Sequence, residues 1–208
     1  MIEQNRGELR ARSPSRLPWP LAVIDIEASS LDLRGYPIEV GLAAWPAPTE
    51  PISGWSTLIR PTDEWRQHGH WSPASAKVQG IRGTDLLAHG RSPQQVAAAL
   101  NEALGTGTVV WCDGGPYDAQ SLQALFKAGG IKSTFALGDW HRLVSALGRA
   151  VREHALSRLE QSPMRHRARA DAEGLLLALA NAMNLAVGAV GDLDKHIPAL
   201  ATPTGPAS

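Results

Sequence analysis

The part of the sequence that most restricts the fold is an apolar segment that ends in two closely spaced acids. Residues 22–31 read Ala-Val-Ile-Asp-Ile-Glu-Ala-Ser-Ser-Leu, so an apolar run that predicts a buried strand carries Asp25 and Glu27 just before a turn. Side chains two residues apart on a strand point to the same face. Two carboxylates held this close repel each other, and a bound cation relieves that repulsion. The segment therefore predicts a cation site at the end of a strand.

Two further acidic clusters lie at the starts of predicted helices. Residues 109–122 pass from an apolar strand through a glycine turn into a helix, which places Asp118 near that helix start. His166 and Asp171 come directly before the apolar-periodic residues of another helix. Carboxylates from three separate elements, with one histidine beside the last, indicate an oxygen-ligated two-metal site and a base that activates water.

In order along the chain, these segments resemble the motifs of the DEDDh branch of the 3'-5' exonucleases, which share the RNase H-like fold. Asp25 and Glu27 match the first motif, D-x-E, and Asp118 matches the aspartate of the second motif. His166 and Asp171 match the third motif, H-x-A-x-x-D-A, together with both alanines of that pattern. The third motif is the most specific part of the resemblance.

Other stretches agree with the same family, and two positions depart from it. Residues 37–41 resemble its second strand, and Gly80-Ile81 resembles the end of its H-G-I segment. Asp113 stands where the second motif usually has asparagine, and that motif is one residue longer here. Gln79 replaces the histidine that many relatives carry before Gly-Ile. Neither departure removes a predicted metal ligand, so we expect an active enzyme.

The predicted elements follow the order that this resemblance implies. Alternating or apolar segments between turn residues predict strands at 21–26, 38–44, 55–59, 108–111 and 131–137. Apolar periodicity and capping signals predict helices at 73–79, 93–104, 118–128, 140–147, 149–160 and 171–183. The implied fold class is α/β, with an RNase H-like five-stranded mixed β-sheet flanked by helices on both faces.

Composition predicts one domain between two polar tails. Residues 1–18 and 187–208 lack a periodic apolar face, so we expect disordered tails around an exonuclease domain at 19–186. No apolar stretch reaches the roughly 18 residues that a membrane span needs, and the amino-terminal segment lacks the apolar core of a secretory signal. The single Cys112 cannot form an internal disulfide, which agrees with a reducing, cytoplasmic location.

The net charge of zero argues against a protein that coats long nucleic acids by counterion release alone. Binding is expected to be local, at the metals and at nearby arginines. The resemblance implies single-stranded DNA or RNA 3' ends or short oligonucleotides as partners, and no membrane is expected. A homodimer is possible, and the sequence does not decide the oligomeric state.

The resemblance also implies a mechanism with two Mg²⁺ or Mn²⁺ ions. Asp25 would bridge the ions, Glu27 and Asp171 would complete the site of the attacking water, and Asp118 would support the second ion. His166 would take the proton from that water. The expected product is a nucleoside 5'-monophosphate from a 3' end.

The resemblance places the substrate beside the first motif. Backbone groups of Ala28, Ser29, Ser30 and Leu31 would hold the terminal nucleotide, with Leu31 against its base. Two alternatives remain at this stage. One is a catalytically inactive RNase H-like module that only binds nucleic acid or protein, and the other is a phosphodiesterase acting on dinucleotides or small nucleotide phosphoesters.

Overall fold

The computed structural model describes residues 17–162, 164–188 and 190–193, and these form a six-stranded mixed sheet. The strands are β1 (Leu21–Ala28), β2 (Pro37–Trp45), β3 (Ser53–Leu58), β4 (Val109–Cys112), β5 (Ala136–Asp139) and β6 (Gly191–Asp192). They lie in the order β5-β4-β1-β2-β3-β6. The pairs β1–β2 and β2–β3 are antiparallel, and the other three pairs are parallel.

Helices cover both faces of this sheet, as the sequence predicted. In the described part of the chain they are α1 (Asp63–His68), α2 (Pro73–Gln79), α3 (Gly83–His89), α4 (Pro93–Leu104), α5 (Pro116–Gly129), α6 (Trp140–Ala146), α7 (Arg149–Gln161) and α8 (Ala168–Ala182). The predicted bounds of α2 and α4 are confirmed, because the hydroxyls of Ser72 and Ser92 cap these helices and proline follows each cap.

Alternation along β1 divides the core into two layers. Ile24 and Ile26 pack with apolar side chains of α4 and α5, whereas Leu21 and Val23 pack with those of α6, α7 and α8. Because side chains alternate along a strand, Asp25 and Glu27 continue the second row and face the layer that contains α8. The pattern that makes β1 a buried central strand therefore also aims its two acids at α8.

A glycine lets the start of α8 approach the sheet beside these acids. Gly41 of β2 pairs with Asp25 across the antiparallel ladder. A Cβ atom at Gly41 would lie 2.1 Å from the carbonyl carbon of Ala168, so any side chain there would displace the first residue of α8. The resulting contact brings the amino terminus of α8 next to the end of β1.

The structure corrects the prediction of strands in two places. β5 lies at Ala136–Asp139 rather than at residues 131–137. The Asn101 side chain donates to the carbonyl oxygen of Lys132 at 2.8 Å and accepts from the backbone nitrogen of Thr134 at 3.0 Å, so this stretch bonds to α4 instead of to the sheet. The two-residue strand β6 was not predicted, because two residues carry no periodicity.

Most of the two predicted tails lies outside the described residues, but their inner edges take part in the fold. Leu17 is buried, and the backbone nitrogen of Gly191 donates to the carbonyl oxygen of Ile52 at 2.9 Å. Arg169 forms a 2.8 Å ion pair with Asp192, and Leu193 is buried against the sheet. No helix in the described ranges is long and apolar enough to cross a membrane.

We expect the β6 segment to stabilise the domain. A chain that ends after Gly188 should melt below one that ends after Leu193, because it loses a buried leucine and a partner of Arg169. Burial of a leucine side chain contributes about 2 kcal/mol, which corresponds to roughly 4–8 °C in a domain of this size. Thermal unfolding followed by circular dichroism measures the difference. Identical melting temperatures would show that the folded domain ends before β6.

Candidate active site

Asp118 stands in the first turn of α5, where its carboxylate is anchored to the preceding loop. Its Oδ2 atom accepts a hydrogen bond of 3.0 Å from the backbone nitrogen of Gly114, and its side chain is buried. A Cβ atom at Gly114 would lie 2.6 Å from the same oxygen. A side chain at position 114 would therefore displace this carboxylate, which the loop holds towards the end of β4.

Asp171 is anchored in a similar way at the start of α8. Its two carboxylate oxygens accept hydrogen bonds from the backbone nitrogens of Arg165 and Arg167, at 3.2 and 3.1 Å. His166 lies between these two donors and has a left-handed backbone, with φ of 51°. Residues other than glycine rarely adopt this backbone conformation. The hydrogen bonds to the Asp171 carboxylate therefore stabilise a turn whose backbone conformation is unfavourable.

The anchored carboxylates meet in two groups that share Asp25. Oxygen atoms of Asp25, Glu27 and Asp171 lie within 4.8 Å of one another, and so do those of Asp25, Asp113 and Asp118. The structure thus brings together all four carboxylates that the sequence singled out as metal ligands. His166 belongs to neither group; its side chain is half-buried on the adjoining loop.

Asp113 joins the cluster as a candidate ligand that sequence reasoning did not single out. β1 and β4 run parallel with Val23 beside Trp111, so two residues further on Asp25 lies beside Asp113. The available signal was an acid at the carboxyl end of an apolar strand, the same signal that identified Asp25. Its use required knowing that β4 pairs with β1, which the sequence alone does not state.

Burial, and after it the crowding of acids, raises the pKa values of several carboxyl groups. Burial, together with the charges of Asp118, Glu27 and other acids nearby, raises the pKa of Asp25 to about 9. Burial raises the pKa of Glu27 to about 7 and that of Asp118 to about 6. It raises the pKa of Asp113 as well. Such a cluster favours either bound protons or bound cations at neutral pH.

These shifts predict that metal-free stability falls as the pH rises. The folded chain binds more protons than the unfolded chain between the ordinary value of 3.8 and the raised value of about 9 at Asp25. Folding is therefore favoured at the acidic end of this window, and the advantage is lost towards pH 9. Asp25→Asn should raise the metal-free melting temperature at pH 8 by about 5 °C or more, and should change it little at pH 5.

The control is Asp63→Asn, because Asp63 is exposed on α1 and its removal should leave the pH profile of wild type. Mg²⁺ at pH 8 should raise the melting temperature of wild type and of Asp63→Asn more than that of Asp25→Asn. Differential scanning fluorimetry across pH 5–9 measures all three. A wild-type profile that stays flat in this range would contradict the predicted repulsion.

Glu39 of β2 ties the His166 loop to the sheet. Its buried carboxylate accepts from Arg167 Nε at 2.9 Å and from Arg167 Nη2 at 2.7 Å, and it accepts from the backbone nitrogen of Ala168 at 3.1 Å. Glu39 also lies directly opposite Glu27 in the β1–β2 ladder. One carboxylate therefore sets where α8 begins, and with it the positions of His166 and Asp171.

We expect Glu39→Gln to loosen this attachment. The amide cannot form the charged, bidentate pair with Arg167, so stability should fall by about 2 kcal/mol and Mg²⁺ affinity should fall with it. Glu153→Gln is the matched control, because its ion pair with Arg149 is exposed and should contribute little to stability. Thermal unfolding and titration calorimetry measure the two effects. Equal behaviour of both variants would show that Glu39 does not position α8.

A small pocket of about 90 Å³ adjoins the carboxylates on the Glu27 side. Ala28, Ser30 and Leu31 line it together with Gln79, Tyr117 and Gln120. Leu31 is 75% exposed at its mouth. Of the four residues expected to hold a terminal nucleotide, Ser29 does not line this pocket.

Ser29 instead supports the loop behind the pocket. Its hydroxyl donates to the carbonyl oxygen of His70 at 2.7 Å and accepts from the backbone nitrogen of Tyr36 at 3.0 Å. A second cleft, of about 290 Å³, is lined by Asp113, Asp171, Met164 and Arg165 among others. Acids of the cluster thus line both concave surfaces.

No protein-family profile matches this chain, and no curated protein matches it either. Solved structures do match. E. coli exonuclease I in complex with a 5cy-dT13 oligonucleotide matches with a TM-score of 0.60 and 13% identity, over 79% of this chain and 41% of that chain. Exonuclease I from Methylocaldum szegediense matches with a TM-score of 0.50 and 17% identity, over 88% of this chain and 38% of that chain.

These likenesses establish the fold and leave the activity open. The described domain has the RNase H-like fold of these exonuclease I structures, with its mixed sheet between two layers of helices. The chain spans about two fifths of the length of the exonuclease I structures that it matches, for example 42% in the complex with a dA16 oligonucleotide. Within that fold, the carboxylate cluster is the candidate active site.

Proposed function

We propose that this chain is a metal-dependent 3'-5' exonuclease that hydrolyses single-stranded nucleic acid and releases nucleoside 5'-monophosphates. The observation that carries the proposal is the pair of carboxylate groups that share Asp25, with oxygens within 4.8 Å of one another. Acids from β1, the end of β4, α5 and α8 repel one another at this distance, and the fold holds them together nonetheless. Such an arrangement is typical of a site built for cations.

The donor set fits two Mg²⁺ or Mn²⁺ ions. The proposed ligands are carboxylates, and burial raises the pKa of the nearby Cys112 thiol to about 12, so that thiol stays protonated and does not compete as a soft ligand. Glu27 and Asp171 would hold one ion, Asp113 and Asp118 would hold the other, and Asp25 would contribute to both sites. When bound, two such ions stabilise the charge that develops on the attacking and leaving oxygens of a phosphoryl transfer.

In this proposal His166 is the general base. A water oxygen attacks the phosphorus of the last phosphodiester, the bond from phosphorus to the 3'-oxygen of the penultimate nucleotide breaks, and that leaving oxygen takes up a proton from the solvent. The proton of the water passes to the His166 imidazole, the side chain that exchanges protons most readily near neutral pH. The support for this role is the His166 loop, which Asp171 and Glu39 hold at the edge of the carboxylate cluster.

The pocket beside Glu27 would receive the terminal nucleotide. Ala28, Ser30 and the exposed Leu31 line its mouth, which agrees with a role for Leu31 against the base. Solved neighbours of the same fold were determined with dA16 and dT13 oligonucleotides, which supports a single-stranded substrate. The zero net charge and the small pocket favour short or unpaired ends over long duplexes.

End dependence tests this function. With Mg²⁺ or Mn²⁺, a 5'-labelled linear 20-mer of DNA or RNA should be shortened one nucleotide at a time, whereas a circular strand of the same sequence should persist. The physical reason is that a closed pocket seats a nucleotide only where the chain ends. Gel electrophoresis of timed samples measures both rates. Cleavage of the circle at the linear rate would identify an endonuclease and defeat the proposal.

Variants and a second substrate distinguish the activity of this chain from that of a contaminating nuclease, and the proposed function from its two alternatives. Asp25→Asn should abolish the activity, and His166→Ala should lower it by about 10²- to 10⁴-fold, the usual contribution of a general base. Asp63→Asn is the matched control and should keep the wild-type rate. A labelled dinucleotide turned over while the 20-mer is not would identify the small-substrate phosphodiesterase. Mg²⁺ binding without turnover of either would identify an inactive binding module.

A further inference from the structure

A third cavity, the α1–α5 cleft, lies beside the pocket next to Glu27. It has a volume of about 300 Å³, and residues of α1, of α5 and of the loop at 33–35 line it. Gly35 and Gln120 line both this cleft and the pocket next to Glu27. The two cavities therefore follow each other along one side of α5.

The walls of the α1–α5 cleft carry more positive than negative charge. Arg34 and Lys127 line it with exposed side chains, and neither side chain forms an ion pair or a hydrogen bond within the described part of the chain. Glu64 is the acid among the lining residues, and His68 lines the cleft from the same helix. Two cations without a protein partner therefore share the cleft with one acid, which favours an anionic ligand.

The loop that carries Arg34 is held in place from two sides. The Arg34 backbone nitrogen donates to the Asp32 carboxylate at 2.7 Å, and the Arg34 carbonyl oxygen accepts from the His70 backbone nitrogen at 2.9 Å. The Gln120 amide of α5 donates to the carbonyl oxygen of Leu33 at 3.4 Å. A fixed backbone thus presents the guanidinium group to the cleft, so a bound anion would have to order only the side chain.

The cleft offers an apolar surface beside these charges. Leu33 is 88% exposed on the loop, and Ala124 and Ala128 lie one turn apart on α5. A nucleotide has both matching features, because cations bind its phosphate and apolar side chains pack on the face of its base. A small inorganic anion would leave Leu33 uncovered, and a purely apolar ligand would leave the two cations unpaired. The lining therefore fits a nucleotide better than either.

The spacing along α5 indicates which nucleotide of a strand would reach the cleft. Tyr117 lines the pocket next to Glu27, and Lys127 lines the α1–α5 cleft on the same helix. At 1.5 Å per residue, these two positions lie about 15 Å apart along the helix axis. Stacked nucleotides advance about 3.4 Å each along a strand, and unstacked ones advance further, so roughly three to five nucleotides cover this distance.

We propose that the α1–α5 cleft is a second nucleotide subsite, in which Arg34 and Lys127 bind a phosphate roughly three to five nucleotides before the 3' end. This inference rests on the proposed exonuclease function. It narrows the substrate class, because an oligonucleotide that reaches the cleft gains two charged contacts that a dinucleotide cannot make. Neither side chain takes part in bond breaking, so both act in binding and in the selection of strand length.

Two measurements distinguish a phosphate contact from a structural effect. A damaged fold should slow substrates of every length alike, whereas loss of the contact should lower the ratio of kcat/KM for a long strand to kcat/KM for a dinucleotide. A phosphate contact also contributes to the salt dependence of binding, because it releases counterions from the strand. For a single strand, each lost contact should reduce the slope of log kcat/KM against log salt concentration by about 0.7.

The experiment uses 5'-labelled single strands of DNA and of RNA, with lengths of 2, 4, 6, 8 and 12 nucleotides and the same last two nucleotides. Removal of the terminal nucleotide is measured with Mg²⁺ at several salt concentrations, for wild type, Arg34→Gln, Lys127→Gln and the double variant. Arg34→Lys keeps the charge and tests for rescue. Arg152→Gln and Lys132→Gln are the matched controls, because they remove the same charges at exposed positions outside the cleft.

For wild type and both controls, kcat/KM should rise by about 10- to 100-fold from the dinucleotide to the 6-mer and then stay level. Arg34→Gln and Lys127→Gln should each lower the ratio of 8-mer to dinucleotide by about 3- to 10-fold and reduce the salt slope by about 0.7. The double variant should bring this ratio close to one. Arg34→Lys should keep most of the ratio, because its charge remains.

The results that contradict the subsite differ from the result that contradicts the function. A wild type with the same kcat/KM on all lengths is an exonuclease without a second subsite, so the inference alone fails. A ratio and a salt slope that survive in the double variant show that the strand follows another path. A double variant that slows all lengths alike assigns the two residues to stability. A wild type that removes no nucleotide from any strand defeats the proposed function, and the subsite with it.

Discussion

The attachment of α8 to β2 is the constraint on which the candidate site depends. Gly41 removes the side chain that would keep the helix start away from the sheet, and Glu39 binds Arg167 and the backbone of Ala168. Both residues lie opposite the acids of β1, because Gly41 pairs with Asp25 and Glu39 pairs with Glu27. The antiparallel pairing of β1 and β2 thus holds the two carboxylates on β1. The paired residues of β2 place the start of α8 beside them.

Packing elsewhere offsets the repulsion that this arrangement creates. β1 is buried on both faces, with Ile24 and Ile26 in one apolar layer and Val23 in the other. Each fully buried aliphatic side chain contributes about 1.5–3 kcal/mol to the free energy of folding. A few such side chains offset the cost of holding an ionised carboxylate among other carboxylates. The fold is therefore able to hold Asp25 on a central strand that is covered on both faces.

Sequence predicted this site where the signal was local, and failed where it depended on strand pairing. The spacing of Asp25 and Glu27 on one strand face, and the caps of α2 and α4, follow from neighbouring residues and were correct. Asp113 was overlooked because its place beside Asp25 depends on the pairing of β4 with β1. The start of β5 was placed too early for a similar reason, since the side chain that withdraws Thr134 from the sheet comes from α4.

The charge of the cluster also sets an order for the events that we propose. A strand approaching the pocket carries phosphates, and the acids around Asp25 would repel them unless protons or cations neutralise the site first. Protonated carboxyl groups are poor metal ligands. A higher pH removes these protons and divalent ions compete with them, so both changes favour the metal-bound site. The chain has a net charge of zero, so it has no overall positive charge to attract phosphates against this local repulsion. Under the proposed function, metal ions would therefore bind before the nucleic acid or together with it, and the acids that destabilise the metal-free domain would also make its affinity for a strand conditional on metal.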